Sequence, residues 1–294
     1  MVGIEKSSDQ AHEDDLELDT RTSPHLRAQK PSRIRILTYN VFGLRFIAKY
    51  RRERLQEIGN RLANLSPPPD IVALQECWVY DDYHAICRLT RQILPFNKFF
   101  FSGIFGGGLA ILSKWPIEAA SMYRYPLNGR PSAFWRGDWY VGKGVACASI
   151  RIGPARKDLV KVFCTHMHAP YESGPNDSYL CHRTAQAWEM AKLLRDAVES
   201  GHLVIGLGDF NMLPLSPAYR LIEAHGLVRD AWRLVHPDSS PGPVDDLEQT
   251  RDKGVSSARH NLMVNGAASD NVLNTWRWTK KQQNKLHGGE KITM

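Results

Sequence analysis

No run of 18 apolar residues occurs anywhere in the 294-residue chain, so the sequence predicts no transmembrane helix. The first residues hold no apolar stretch of the kind a secretory signal needs. Both absences lead to the expectation of a cytoplasmic protein that meets membranes only peripherally. There is no C-x-x-C pair among the five cysteines, Cys77, Cys87, Cys147, Cys164 and Cys181. An odd, unpaired set of this kind predicts buried, reduced thiols in an intracellular protein. No internal repeat and no break demanding two domains is present. What the chain does have is 43% hydrophobic and 23% charged residues, enough apolar side chains for a core and too few charges for a disordered or coiled-coil protein.

Charge is spread unevenly over the net +7. Residues 1–30 hold seven acids and four bases, a local −3, which leaves 34 bases and 24 acids, or +10, for the rest. A basic body implies an anionic partner: nucleic acid, an anionic membrane surface or a phosphorylated substrate. Residues 1–32 lack apolar periodicity and read as a disordered polar leader. The span 33–278 reads as one domain, and 279–294 as a basic polar tail.

Short apolar runs bounded by Gly, Pro or polar residues predict buried strands at 34–37, 70–75, 108–112, 145–150, 159–164 and 203–207, with another core strand in 97–101. Helical spacing places Leu55, Ile58, Leu62 and Leu65 on one face of residues 54–65, before Pro67-Pro68-Pro69 stops the helix. A second helix over 185–198 aligns Trp188, Ala191, Leu194 and Val198. Ser216-Pro217 is an N-cap and first-turn pair opening a third through Ala224. Several consecutive strands have no helix between them. That favours an α/β fold of sheets packed face to face with helices outside over a doubly wound sheet.

Four of these runs end in polar residues able to bind metal or phosphate: Thr38-Tyr39-Asn40, Gln75-Glu76, Thr165-His166-Met167-His168 and Gly208-Asp209-Phe210-Asn211. Strand ends hold such groups rigidly against a cleft. Carboxylate and amide oxygens suit Mg²⁺, which keeps several waters and needs one or two protein carboxylates. Taken singly, Glu76 reads as a solvated loop residue and Asp209 as a turn former. His166 and His168, two apart, would share a face of a continuing strand and could chelate zinc, although Ala169-Pro170 ends the strand there.

These motifs appear in the order found in the endonuclease/exonuclease/phosphatase superfamily, the DNase I-like fold, which the sequence resembles from about residue 33 to 276. Ser113-Lys114-Trp115-Pro116-Ile117, the segment 137–144, His166-Met167-His168-Ala169-Pro170-Tyr171 and the segment 182–188 resemble its neutral sphingomyelinase branch, most of all the fungal inositol phosphosphingolipid phospholipase C enzymes. The resemblance implies a four-layer α/β sandwich of two packed mixed β-sheets flanked by helices, and an Mg²⁺-dependent phospholipase C acting on a sphingolipid phosphodiester. It implies Glu76 as the principal Mg²⁺ ligand with Asn40 beside it, and His166 as a donor to the phosphoryl oxygens. Asp209 and Asn211 would position the phosphate and the attacking water. Asp138 and Lys143 match an acid and a lysine linked to activity in a loop beside the site. A sphingolipid and an anionic membrane surface become the expected partners, and nucleic acid recedes.

Residues 137–143 also read G-x-x-x-x-G-K, a phosphate loop lacking its final Ser/Thr, but the strand-like residues 145–150 follow where a nucleotide loop needs a helix. The rings of Phe134, Trp135, Trp139 and Tyr140 read equally as interfacial or as core. The superfamily's closing Asp-His pair, whose histidine is the general base, has no counterpart after Asp209. Ser269-Asp270-Asn271 and Asn274-Thr275-Trp276 still resemble the branch, and the expectation is a domain without its final strands and with an open sheet edge. Three readings stay open: a truncated gene product, a lipid-binding relative without turnover, or a base supplied by another histidine such as His260 or His287. A DNase I-like nuclease remains the alternative activity. Headgroup choice and oligomeric state are not encoded in any motif identified.

Overall fold

A computed structural model of the chain describes residues 30–103, 106–171, 177–214, 216–239 and 261–266. The expected leader, the segment 269–276, the basic tail, His260 and His287 lie outside the described residues, except that the leader's last residues, from Lys30, are included. Among the described residues, eight strands form two four-stranded sheets. In the first, β1 (Ile36–Asn40) pairs parallel with β2 (Ile71–Gln75), which pairs antiparallel with β4 (Leu109–Ser113), and β4 with β3 (Phe96–Phe100). In the second, β5 (Ile117–Arg124), β6 (Gly144–Arg151) and β7 (Leu159–His166) run antiparallel, and β7 pairs parallel with β8 (Leu203–Asp209).

The two sheets face each other across one apolar layer. Ile71, Ala73, Leu109 and Ile111 from the first pack with Ala148, Ile150, Val162 and Cys164 from the second. β2 and β4 are buried along their whole length, which is why their sequences are continuous apolar runs. Against the outer face of the first sheet lie α1 (Arg51–Asn64) and α2 (Tyr80–Thr90), joined through Leu55, Leu62, Ile86 and Leu94. The second sheet is covered by α4 (Leu180–Glu199) and α5 (Pro217–Gly226), through Met190, Leu194 and Ile222. Two further helices are short, α3 (Asp138–Val141) and α6 (Ala231–Val235). The result is helix, sheet, sheet, helix, the four-layer α/β sandwich. Among the described residues, β1, β3, β5 and β8 have a strand neighbour on one side only, and no helix is long and apolar enough to cross a membrane.

Local details differ from the sequence expectations. β1 begins two residues later than expected, so Thr38-Tyr39-Asn40 lies inside the strand. On α4 the buried stripe is Ala187, Met190, Ala191, Leu194 and Ala197; Trp188 is exposed and turns instead to the His225 ring. Leu65 falls past the end of α1 and is exposed. Ser216 caps α5 as expected, its side chain accepting from the Tyr219 N–H. All five cysteines are free thiols, and Cys181, on the outer face of α4, is exposed rather than buried.

Candidate active site

Strand register gathers the polar residues. Asn40 is in register with Gln75, so Glu76 follows directly beside it, and His166 is in register with Asp209. β1 and β8 lie next to each other across the sandwich, which brings the two pairs together. The backbone at this end is shaped for close approach. Glu76 has φ +56 and Asn211 φ +47, so each side chain turns off its strand end. Gly208 has φ +135, and a Cβ there would stand 2.0 Å from the Thr165 carbonyl oxygen. Only glycine lets β8 lie this close to β7.

The Asn40 side chain bridges two carboxylates. Its Nδ2 donates to Glu76 Oε1 at 3.0 Å and to Asp209 Oδ2 at 2.9 Å, while its Oδ1 accepts the Phe42 N–H at 2.9 Å. Asp209 Oδ1 accepts the Asn211 N–H at 3.1 Å. The second Glu76 oxygen, Oε2, is buried without a hydrogen-bond partner. Burial pushes the Glu76 carboxyl above its ordinary value, with Asn40, Lys143 and the Trp78 side chain opposing and Asp209 reinforcing. A buried, orphaned carboxylate oxygen beside a second carboxylate is costly unless a cation completes it. The two carboxylates of Glu76 and Asp209 fit a hard divalent ion that keeps most of its water, while Asn40 turns its Nδ2 donor to them and its Oδ1 to the Phe42 N–H.

His166 closes the other side. Its Nε2 lies 3.7 Å from Asp209 Oδ2 and 3.4 Å from Lys143 Nζ. Burial, then the Lys143 ammonium and His168, hold the imidazole well below its ordinary value, so it is neutral at pH 7. Lys143 is itself buried, and that burial lowers its ammonium despite Asp138, Asp209 and Glu76 nearby. It donates to the Met167 carbonyl at 2.8 Å and pairs with Asp138 Oδ1 at 3.4 Å. The same Met167 oxygen accepts from Asn211 Nδ2 at 2.9 Å, so one carbonyl locks both.

All seven residues expected from the sequence thus fall in one contiguous network, with Asp138 on its outer side. His166 and His168 do not converge on a common metal position: His168 follows the end of β7 and directs Nε2 at Asp138 Oδ2, 3.6 Å away. Among the described residues no three His, Cys, Asp or Glu side chains cluster as ligands. The segment 137–143 forms α3 and then leads into β6, so its phosphate-loop pattern has no long helix behind it. Support for Asp138 was not foreseen. Tyr171 donates its hydroxyl to Asp138 Oδ2 at 2.7 Å, and His168 stacks on Tyr179 with ring centres 4.2 Å apart. Gln186 accepts the His168 N–H at 2.8 Å. The signal available was the segments 166–171 and 182–188, whose residues carried a resemblance without any role.

The endonuclease/exonuclease/phosphatase family model matches residues 37–284. The chain belongs to that family. Its relatives include the inositol phosphosphingolipids phospholipase C of Schizosaccharomyces pombe, 47% identical over 252 residues, which cover 86% of this chain and 57% of that protein. Human sphingomyelin phosphodiesterase 2 is 34% identical over 200 residues, 68% of this chain and 46% of that one. The chain therefore spans about half the length of the curated relatives it matches. A doubly substituted beta toxin from Staphylococcus aureus, solved with bound magnesium ions, shares the fold at TM-score 0.52 and 18% identity, covering 70% of this chain and 80% of that one.

Proposed function

We propose that the chain is an Mg²⁺-dependent phosphodiesterase of phospholipase C type, which cleaves a sphingolipid into ceramide and a phosphorylated headgroup at an anionic membrane surface. One observation carries the reading: the orphaned Glu76 Oε2 sits in a network that ties Glu76, Asn40 and Asp209 to His166 and Lys143. The 47% identity to an inositol phosphosphingolipids phospholipase C supports the substrate class, and the +10 body suits an anionic surface.

Glu76 would hold the Mg²⁺, with Asn40 beside it. When bound, the ion supplies Lewis-acid polarisation of a phosphoryl oxygen. The protein's own groups supply the rest. Neutral His166 has one ring N–H to give to a phosphoryl oxygen as negative charge grows in the transition state. Asp209, already oriented by Asn40 and Asn211, accepts from the attacking water and places it in line with the bond that breaks. Asn211 keeps that loop in register through Met167. Lys143, buried and fixed by Asp138, adds positive potential next to His166 and keeps the imidazole neutral.

A second reading, lipid binding without turnover, is favoured by the sparse ligand set: among the described residues no three His, Cys, Asp or Glu side chains cluster to hold a metal. Hydrolysis of labelled inositol phosphosphingolipid and sphingomyelin decides between them. The enzyme reading expects a released phosphorylated headgroup, abolished by chelation of Mg²⁺, by Glu76→Gln and by His166→Ala. Turnover at the wild-type rate in either variant would refute the site; no turnover in wild type, with binding to vesicles that contain the lipid retained, would establish the binding reading.

A further inference from the structure

The loop at residues 41–50, between β1 and α1, is rigidly built. Arg54 reaches back from α1 and donates to the carbonyl oxygens of Lys49 at 3.2 Å, Val41 at 3.1 Å and Phe42 at 2.6 Å. Gly43 donates its N–H to the Glu76 carbonyl at 2.9 Å. Ala48 is buried, and Arg51 just beyond is buried in an ion pair with Asp82. This scaffold displays apolar side chains to water: Phe46 is 92% exposed, Ile47 55% and Tyr50 43%. A lone exposed ring needs no explanation, but three neighbouring apolar side chains on a stapled turn mark an interaction surface.

Cations are interleaved with them. Beside the buried, paired Arg51, residues 45–52 contain Arg45, Lys49 and Arg52 and no acid. The Arg45 guanidinium lies 5.6 Å from the Phe46 ring centre, and Lys49 Nζ 5.2 Å from that of Tyr50. The loop leaves the end of β1 at which Asn40 and Glu76 stand. Phe101, Trp135, Trp139 and Tyr171, on three other strand connections at that same end, are exposed as well.

We propose that residues 45–50, with Phe46 at the tip, are the docking surface that seats the mouth of the site on an anionic lipid bilayer. The proposal rests on the phospholipase C reading for the bilayer's identity as partner; docking itself requires no turnover. Aromatic and aliphatic side chains enter the boundary between headgroups and acyl chains, while arginine and lysine stay among the phosphates. Each cation near an anionic leaflet strengthens binding about fivefold. Nucleic acid would use the cations but leaves Phe46 and Ile47 without an apolar medium. A second copy of the chain would bring two cationic loops face to face.

Cosedimentation with phosphatidylcholine vesicles, with and without phosphatidylserine, tests the surface on the full chain. Wild type is expected to pellet with phosphatidylserine-containing vesicles and to be released partly by salt. Arg45→Glu, which removes one cation and adds an opposite charge, should weaken binding about 25-fold at low salt. Phe46→Asp should remove the salt-resistant part, and Phe46→Trp should restore it with an unchanged melting temperature. Vesicle binding of Phe46→Asp at the wild-type level would overturn the proposal. So would a change in plasmid DNA binding or self-association in these variants with vesicle binding untouched. Docking without sphingolipid hydrolysis overturns the phospholipase reading alone. Hydrolysis with unchanged docking of Phe46→Asp overturns the docking surface alone.

Discussion

The buried Lys143–Asp138 pair gives the sharpest energetic prediction. Both side chains are almost wholly buried, and Nζ stands 3.4 Å from Oδ1. At an effective dielectric of 20, unit charges at that separation attract by about 5 kcal/mol, much of which desolvation offsets. Lys143→Met leaves Asp138 with Tyr171 and His168 but no full cation, and should cost about 3–5 kcal/mol of stability. Asp138→Asn strands the ammonium on the Met167 carbonyl and should cost a similar amount. The double variant removes both charges, so it should be more stable than the sum of the singles implies, with a coupling of about 2–3 kcal/mol. Urea denaturation of all four proteins at pH 7 measures it. Coupling below about 0.5 kcal/mol would show that the two charges do not support each other, and would remove the electrostatic basis given for Lys143 beside His166.

Three further outcomes are expected. Gly208→Ala places a Cβ 2.0 Å from the Thr165 carbonyl at φ +135, so β8 must shift from β7; a thermal melt should show loss of more than about 4 kcal/mol, and an unchanged melt would refute the close approach. The folded-state value of His166 is depressed, so the unfolded chain takes up a proton near pH 6.5 while the folded chain resists it. Its contribution to stability is therefore complete above that pH and declines as pH falls toward the folded value, by up to about 1.4 kcal/mol per pH unit. Glu76, raised by burial, acts in the opposite direction, so the difference between wild type and His166→Gln isolates the histidine; identical pH slopes would contradict its burial. Magnesium titration followed by a thermal melt should stabilise wild type and not Glu76→Gln, and equal stabilisation of both would place the ion elsewhere.

Much of this was legible in the sequence because strands buried on both faces must be continuous apolar runs, as β2 and β4 are. The polar residue that ends such a run is conspicuous, and Asn40, Glu76, His166 and Asp209 stood out for that reason. β5 was not legible: most of its residues are exposed, so neither alternation nor an apolar run marks it. α2 was missed because its buried face includes Asp82, Tyr83 and Thr90 along with Ile86 and Cys87, which blurs a helical stripe. Trp188 shows how periodicity selects a face one position off when a large ring can pack on a neighbouring helix instead of the sheet. Within the site, residue types were readable and partners were not. Asn40 bridging two carboxylates and Met167 lending one carbonyl to Lys143 and Asn211 are consequences of register and of a backbone atom, which no spacing rule carries.

If the chain is a phospholipase C, water attacks phosphorus and the bond from phosphorus to the ceramide oxygen breaks. Incubation of the chain with inositol phosphosphingolipid, Mg²⁺ and ¹⁸O-labelled water, followed by mass spectrometry of both products, tests it directly. In-line attack of water on phosphorus predicts one ¹⁸O in the phosphate of the released headgroup and none in ceramide, with no label incorporated by Glu76→Gln. Label in ceramide, label unchanged in Glu76→Gln, or intact lipid alongside cleaved plasmid DNA would contradict this mechanism.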